Sequence, residues 1–188
     1  MQTDTESSTP SSRVREQEFA AFFAATYADL LRFVQRRIHP VQAEDVVADV
    51  YLVVWRRFDQ LPEPPGQRKA WLFGIARRTL FNAARGHGRQ HALAVRLINL
   101  APPESHDSTE ADLTALRVDI SAAWPRLSAV DQEALCLSVL DGLDAPSAAR
   151  VLGITPVAFR LRLSRARRAL RARINPSHRG SPLESTKR

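Results

Sequence analysis

With 188 residues, a hydrophobic share of 44% and a net charge of +7, the chain is long enough for one ordinary domain or two small ones with helical cores. The basic balance favours an anionic partner, but charge alone leaves nucleic acid, a membrane surface and a merely soluble basic protein open. The single cysteine, Cys136, excludes an internal disulfide and a cysteine-rich zinc site, and within ALCLSVL it reads as a small buried hydrophobe rather than a redox sensor.

Residues 1–14 are rich in Ser and Thr and are expected to form a disordered tail, with too little apolar surface to offset ordering entropy. They lack the apolar core of a signal peptide, and no stretch of the chain approaches the roughly 18 apolar residues that a membrane span requires. A cytoplasmic protein without membrane insertion is therefore expected. From Arg15, the residues Phe19, Phe22, Phe23, Tyr27, Leu30, Leu31, Val34 and Ile38 recur at helical intervals, and His39-Pro40 stops that helix.

A second helix is predicted from Gln42 to Phe58, with Val46, Val47, Val50, Tyr51, Val54 and Phe58 inward and Glu44, Asp45 and Asp49 on or beside the outer face. Carboxylates at its start and Arg56-Arg57 at its end suit the helix dipole. The segment LPEPPGQRK, residues 61–69, is expected to break the helical run. A third helix follows from Ala70 to Arg85, with Leu72, Ile75, Ala76, Thr79 and Ala83 on one side and Gly74, Arg78, Phe81, Asn82 and Arg85 on the other. HALAVRLINL adds a short helical piece, and APPESHDSTEAD reads as an acidic, proline-stiffened linker.

In the last third, Leu116, Ile120, Ala123 and Leu127 form a stripe that Pro125 bends or ends. Ser128 caps a helix from Ala129 to about Leu140, with Asp131 completing a near capping box. Asp141-Gly142 turns the chain into a helix from Ala145 to Leu152 that Gly153 ends. Thr155 caps the final helix, with Pro156 in its first turn. The expected architecture is all-α: a tail at 1–14, a helical domain at 15–91, a flexible acidic linker at 92–113, a second helical domain with a helix-turn-helix at 114–173, and a flexible tail at 174–188.

The final helix is the most informative. Phe159, Leu163, Ala166 and Leu170 make one buried seam, and Val157, Leu161, Ser164, Arg165 and Arg168 face away from it, flanked by Arg160, Arg167 and Arg171. A short helix, a glycine turn and such a helix match a helix-turn-helix that lays its second helix in the major groove. There an arginine forks onto guanine, and others bind phosphate. The competing reading is a solvated basic face or a partner-binding helix.

Toward the front, Trp71, Phe73 and Phe81 interleave with Arg77, Arg78, Arg85 and Arg89. Aromatic rings among cations stack unpaired bases; for Trp71 and Phe73 a place in the core competes with that role. His87 and His91 have metal-compatible spacing, but no carboxylate or thiol completes a site. No phosphate-binding glycine loop and no nucleophile–base pair stands out. Neither an enzyme nor a cofactor is expected.

AEDVVADVYLVVWRRFD, WLFGIARRTLFNAAR, LSAVDQEALCLSVLDGL and LGITPVAFRLRLSRARRAL, in that order across residues 16–173, resemble the extracytoplasmic-function group of sigma-70 transcription initiation factors. The resemblance implies an alternative sigma factor that binds RNA polymerase core, recognises minus-thirty-five and minus-ten elements and promotes DNA opening. It assigns Glu44, Asp45 and Asp49 to the clamp coiled coil of the polymerase largest subunit, and makes the polymerase flap a further contact. It assigns loop Leu61–Lys69 to capture of an extruded base, and Arg68, Lys69, Trp71, Arg77, Arg78, Phe81, Asn82 and Arg85 to the minus-ten element. Thr155, Arg160, Leu161, Arg162, Ser164, Arg165 and Arg168 go to the minus-thirty-five element, although the helical wheel puts Arg162 nearer the buried seam. The acidic linker would thread along basic channels of the polymerase, and in many such systems an anti-sigma partner restrains activity.

Two departures stand out. Pro146 and Ser147 replace a usual Glu pair, leaving Asp144 as the candidate cap. Leu161 replaces a small polar residue, so no promoter sequence carries over. A stand-alone helix-turn-helix repressor or activator is the alternative, but that class needs a dimerisation surface or effector pocket.

Overall fold

The computed structural model describes residues 10–86, Val95 and residues 110–174. Every regular element among them is helical, as the periodicity predicts. The chain divides into two compact units whose principal boundary falls between Gln90 and His91.

The first unit contains α1 (Pro10–Gln35), α2 (Pro40–Arg56), a 3₁₀ turn at Phe58–Gln60 and α3 (Pro65–Gly86). Leu30, Phe33 and Val34 of α1, the α2 valines 46, 47, 50 and 54, and Leu72, Phe73, Ile75, Ala76 and Leu80 of α3 make its core. Valine is a mediocre helix former because its χ1 is restricted, so tertiary burial of this stripe is what holds α2 in place. Phe33 and Phe73 stack at its centre, their ring centroids 4.3 Å apart. At one edge Phe19 meets Trp55 and Phe58 edge-on, and Arg15 both covers the Trp55 ring and donates to the Trp55 carbonyl at 2.8 Å.

The Tyr51 hydroxyl shares a 2.9 Å hydrogen bond with Thr26. Burial pushes the Tyr51 phenol above its ordinary pKa, against the opposing effect of that bond.

Helix α1 starts at Pro10 and ends at Gln35, rather than running from Arg15 to Ile38. Its exit tightens through Arg37 N–H to the Val34 carbonyl at 2.8 Å. The Arg37 guanidinium folds inward over Phe33, 3.5 Å from the ring centroid, and donates to the Phe33 carbonyl. His39-Pro40 opens α2 instead of only closing α1. Pro40 takes the first helical turn, and His39 Nδ1 accepts a long 3.4 Å contact from Val41 N–H. Glu44 and Asp45 consequently stand beyond the first turn, where the dipole benefit expected for them has faded.

The second unit contains Val95, α4 (Glu110–Ala123), a 3₁₀ turn at Trp124–Arg126, α5 (Ala129–Leu135), a π turn at Cys136–Leu140, residues 145–149 of α6 (Ala145–Leu152), and α7 (Pro156–Ile174). Val95, Trp124, Leu127, Leu135, Cys136 and Ala166 make its buried cluster, with Leu140, Leu163, Ala169 and Leu170 packed against it. Cys136 is fully buried, as its neighbours predict.

Val95 falls within the stretch expected to be linker, yet the core grips its backbone. Trp124 Nε1–H donates to its carbonyl at 2.6 Å, and Gln132 Oε1 accepts from its N–H at 3.1 Å. Gln132 uses its amide nitrogen on the Trp124 carbonyl at 3.0 Å, so a buried polar side chain is satisfied at both ends.

Other boundaries move for physical reasons. Proline and glycine at residues 65–66 begin α3 rather than break it, because a first-turn proline has no N–H to lose. Gly74, expected on the wet side of α3, is buried. Phe73 belongs to the core and not to the basic stripe. Helix α4 ends before Pro125 as expected but starts at Glu110, and Leu116 is exposed rather than part of the inner stripe. The helix expected from Ala129 to Leu140 widens after Leu135, where Asp141 N–H reaches back to the Cys136 carbonyl at 2.8 Å. Val95, within the short helix expected at HALAVRLINL, belongs to no regular element, and the rest of that segment, the histidines 87 and 91, Arg89, most of the linker and the C-terminal tail lie outside the described residues.

Candidate nucleic-acid interface

On α2, the inward valine stripe forces residues 41, 44, 45, 48, 49 and 52 outward. Glu44, Asp45 and Asp49 are all exposed, and none is paired with a described residue. Val41 and Leu52, 81% and 56% exposed, stand beside them. The result is an acidic face with apolar edges on a basic chain.

The candidates around α3 separate into two groups. Arg68 is occupied: Nε–H donates to the Pro62 carbonyl at 3.0 Å and an NH2 group to the Glu63 carbonyl at 3.2 Å, bracing the loop ahead of the helix. Lys69 is occupied too, by a 2.8 Å ion pair with Asp29 and by the Phe73 face at 5.5 Å. Its hydrogen bond holds the Asp29 carboxyl below the ordinary range, with help from Arg32 and against the cost of partial burial. Phe22, Asp29, Leu61, Arg68 and Lys69 line part of a groove of about 590 Å³ between α1 and the start of α3. Sequence reasoning missed Asp29, because a lone aspartate on an amphipathic helix looks like any solvated residue.

Farther along α3, Arg78 and Asn82 are exposed, with Trp71 half-buried on the same stripe. Phe81 is half-buried, and the Arg77 guanidinium lies 4.6 Å from its ring centroid. The two side chains make a cation–π contact on α3. The Arg85 side chain lies outside the described residues.

In the second unit the helix-turn-helix is built by local chemistry. Asp144 Oδ1 accepts from Ser147 N–H at 2.9 Å, supplying the cap that Pro146 and Ser147 put in question. Gly153 adopts φ +68°, and Ile154 N–H returns to the Ala149 carbonyl at 3.0 Å, closing α6 in a Schellman turn. Thr155 Oγ1 accepts from Ala158 N–H at 3.2 Å and caps α7. Phe159 and Ala166 are fully buried, with Leu163 and Leu170 partly so, as the predicted seam requires.

That seam turns Val157, Leu161, Ser164, Arg165 and Arg168 outward, with Arg160 beside them; Arg162 is half-buried. Arg160, Arg165 and Arg168 pair with no described residue.

Residues 22–90 match the family described as Sigma-70 region 2, and residues 117–170 match Sigma-70, region 4. The chain belongs to the sigma-70 family, in its extracytoplasmic-function group. It is an alternative sigma factor, which works with RNA polymerase core and promoter DNA. It is 27% identical to the ECF RNA polymerase sigma factor SigK of Mycolicibacterium vanbaalenii over 82% of this chain and 81% of that one. It is 29% identical to SigL of Mycobacterium tuberculosis over 69% of this chain and 73% of that one. In fold this sigma factor resembles CnrH in complex with the cytosolic domain of CnrY, with a TM-score of 0.58 and 23% identity over 86% of this chain and 90% of that one. No helix among the described residues is long and apolar enough to cross a membrane.

Proposed function

We propose a division of labour among three surfaces of this sigma factor. The acidic face of α2, through Glu44, Asp45 and Asp49, docks on arginines of the clamp coiled coil of the polymerase largest subunit. Trp71, Arg78, Phe81 and Asn82 on α3 engage the melted minus-ten element, with Arg77 supporting Phe81. Arg68 and Lys69 serve that site indirectly, by fixing the loop and the first turn of α3. The exposed face of α7, including Arg160, Ser164, Arg165 and Arg168, enters the major groove at the minus-thirty-five element, with Thr155 at its mouth. The protein performs no covalent chemistry of its own and acts in the cytoplasm.

One observation carries this reading. A single chain exposes an acidic helix face and a basic helix face, and neither is paired with a described residue. Carboxylates left without cations on a protein of charge +7 suit a separate cationic partner.

Restraint by an anti-sigma protein belongs to the same proposal. The fold relatives CnrH and RpoE of Bartonella quintana were both solved with a partner, the latter with the anti-sigma factor NepR. The test adds the purified chain to sigma-free core polymerase and measures run-off transcription from a matched promoter. Transcription that depends on both components is expected. Tight duplex binding with no effect of core would overturn the proposal in favour of a stand-alone regulator.

A further inference from the structure

Helix α7 presents two large aliphatic side chains to solvent where its role in DNA recognition calls for polarity. Val157 is 61% exposed and Leu161 56%. They lie one turn apart on the stripe that continues through Ser164 and Arg168, opposite the Phe159–Ala166 seam. Neither belongs to the buried cluster of its unit. Their neighbours Arg160 and Arg165 are exposed and unpaired among described residues, and α7 contains no acidic residue. An apolar pair so enclosed by cations fits poorly against an apolar protein surface, where each arginine would lose water without gaining an anion. It fits a polyanion that carries apolar groups inside its groove.

We propose that Val157 and Leu161 read thymine methyl groups in the major groove of the upstream promoter element. The proposal rests on the reading that α7 enters that groove. The N-terminal residues of a helix-turn-helix recognition helix are those that reach base edges. On those edges every donor and acceptor requires a polar partner, and the thymine C5-methyl is the one apolar feature. Valine and leucine have no donor or acceptor, so the methyl is the only feature they recognise favourably. Residues four apart on a helix are separated by about 6 Å along its axis, a span of one to two base-pair steps of about 3.4 Å. The two side chains therefore select thymines that are adjacent or separated by one base pair, on either strand, while the arginines beside them hold guanine or phosphate.

The test uses holoenzyme assembled from the full chain and bacterial core polymerase. Its preferred upstream element is selected from randomised duplexes, and each thymine is then replaced in turn by uracil, which removes only the methyl group. One or two positions are expected to lose binding by about fourfold each, the effect of returning one methyl-sized apolar surface to water. Leu161→Ala should weaken binding to the thymine element by a similar factor and abolish uracil sensitivity at one of those positions. Leu161→Gln, which keeps length but adds polarity, should remove the preference for thymine there.

Uracil tolerated at every position, with selection still lost in Arg165→Ala, would overturn the methyl reading and leave recognition by α7 intact. Failure to select any upstream element, with Arg165→Ala indistinguishable from the parent, would overturn both.

Discussion

Lys69 and Asp29 show how a charge that looks available for DNA is committed inside the fold. The 2.8 Å pair lowers the Asp29 pKa from its ordinary value of 3.8. A carboxyl whose folded pKa is depressed stabilises the protein above its unfolded pKa, and that contribution is lost as pH falls through the folded value. Asp29→Asn is accordingly expected to destabilise at pH 7 by roughly 0.2–1 kcal/mol, the range for an ion pair that solvent still reaches. The difference should shrink as pH falls below 3.8 and the carboxyl protonates, as urea unfolding at pH 7 and at acidic pH would show. Gly74 makes a second residue-scale prediction. It is buried in the interior of α3, yet a Cβ built there meets nothing within 4 Å. Gly74→Ala should therefore stabilise by roughly 0.5–1 kcal/mol through the helix backbone alone, seen as a higher Tm. Neither residue declared itself in the sequence. A lone aspartate and a mid-helix glycine acquire meaning only from what packs beside them, whereas the acidic trio of α2 and the arginines of α7 were legible because a strong apolar stripe dictates the opposite face.

Among the helices, the turn between α6 and α7 was readable almost residue by residue, because caps are local chemistry. Asp144, Gly153 and Thr155 each make the contact their positions call for. Gly153 holds φ +68°, where a Cβ crowds the following carbonyl, so Gly153→Ala should cost about 1–2 kcal/mol and lower the melting midpoint. It should also impair upstream-element recognition more than core binding, because the turn sets the angle of α7. Helix ends governed by longer-range contacts were less legible. Proline at 65 has the sequence signature of a breaker, although its fixed φ suits a first turn. The π turn at 136–140 followed from no local signal, since the same residues satisfy an ordinary helical period. Inward-turning Arg37, which closes α1 over Phe33, carries no local signal that separates it from a surface cation.

For the protein as a whole, two substitutions separate the proposed polymerase contact from the proposed DNA contact. Asp49→Ala should weaken core binding about tenfold, in line with loss of a charge-assisted contact, without altering the choice of upstream element. Arg165→Ala should leave core affinity intact, relax that choice, and reduce the log–log salt dependence of DNA binding by about one if it contacts phosphate. Affinity titrations with core alone, then with promoter duplex at several salt concentrations, distinguish the two. Equal loss of both affinities in Arg165→Ala would mean that α7 is structural. The grip on Val95 bears on how this molecule is dissected. An excised C-terminal fragment beginning at α4 would leave behind a plug from its own interior, with the Trp124 indole N–H and one face of the Gln132 amide stranded in a vacated socket. Fragments begun upstream of that valine should fold as independent pieces, and those begun after it should melt early or clump.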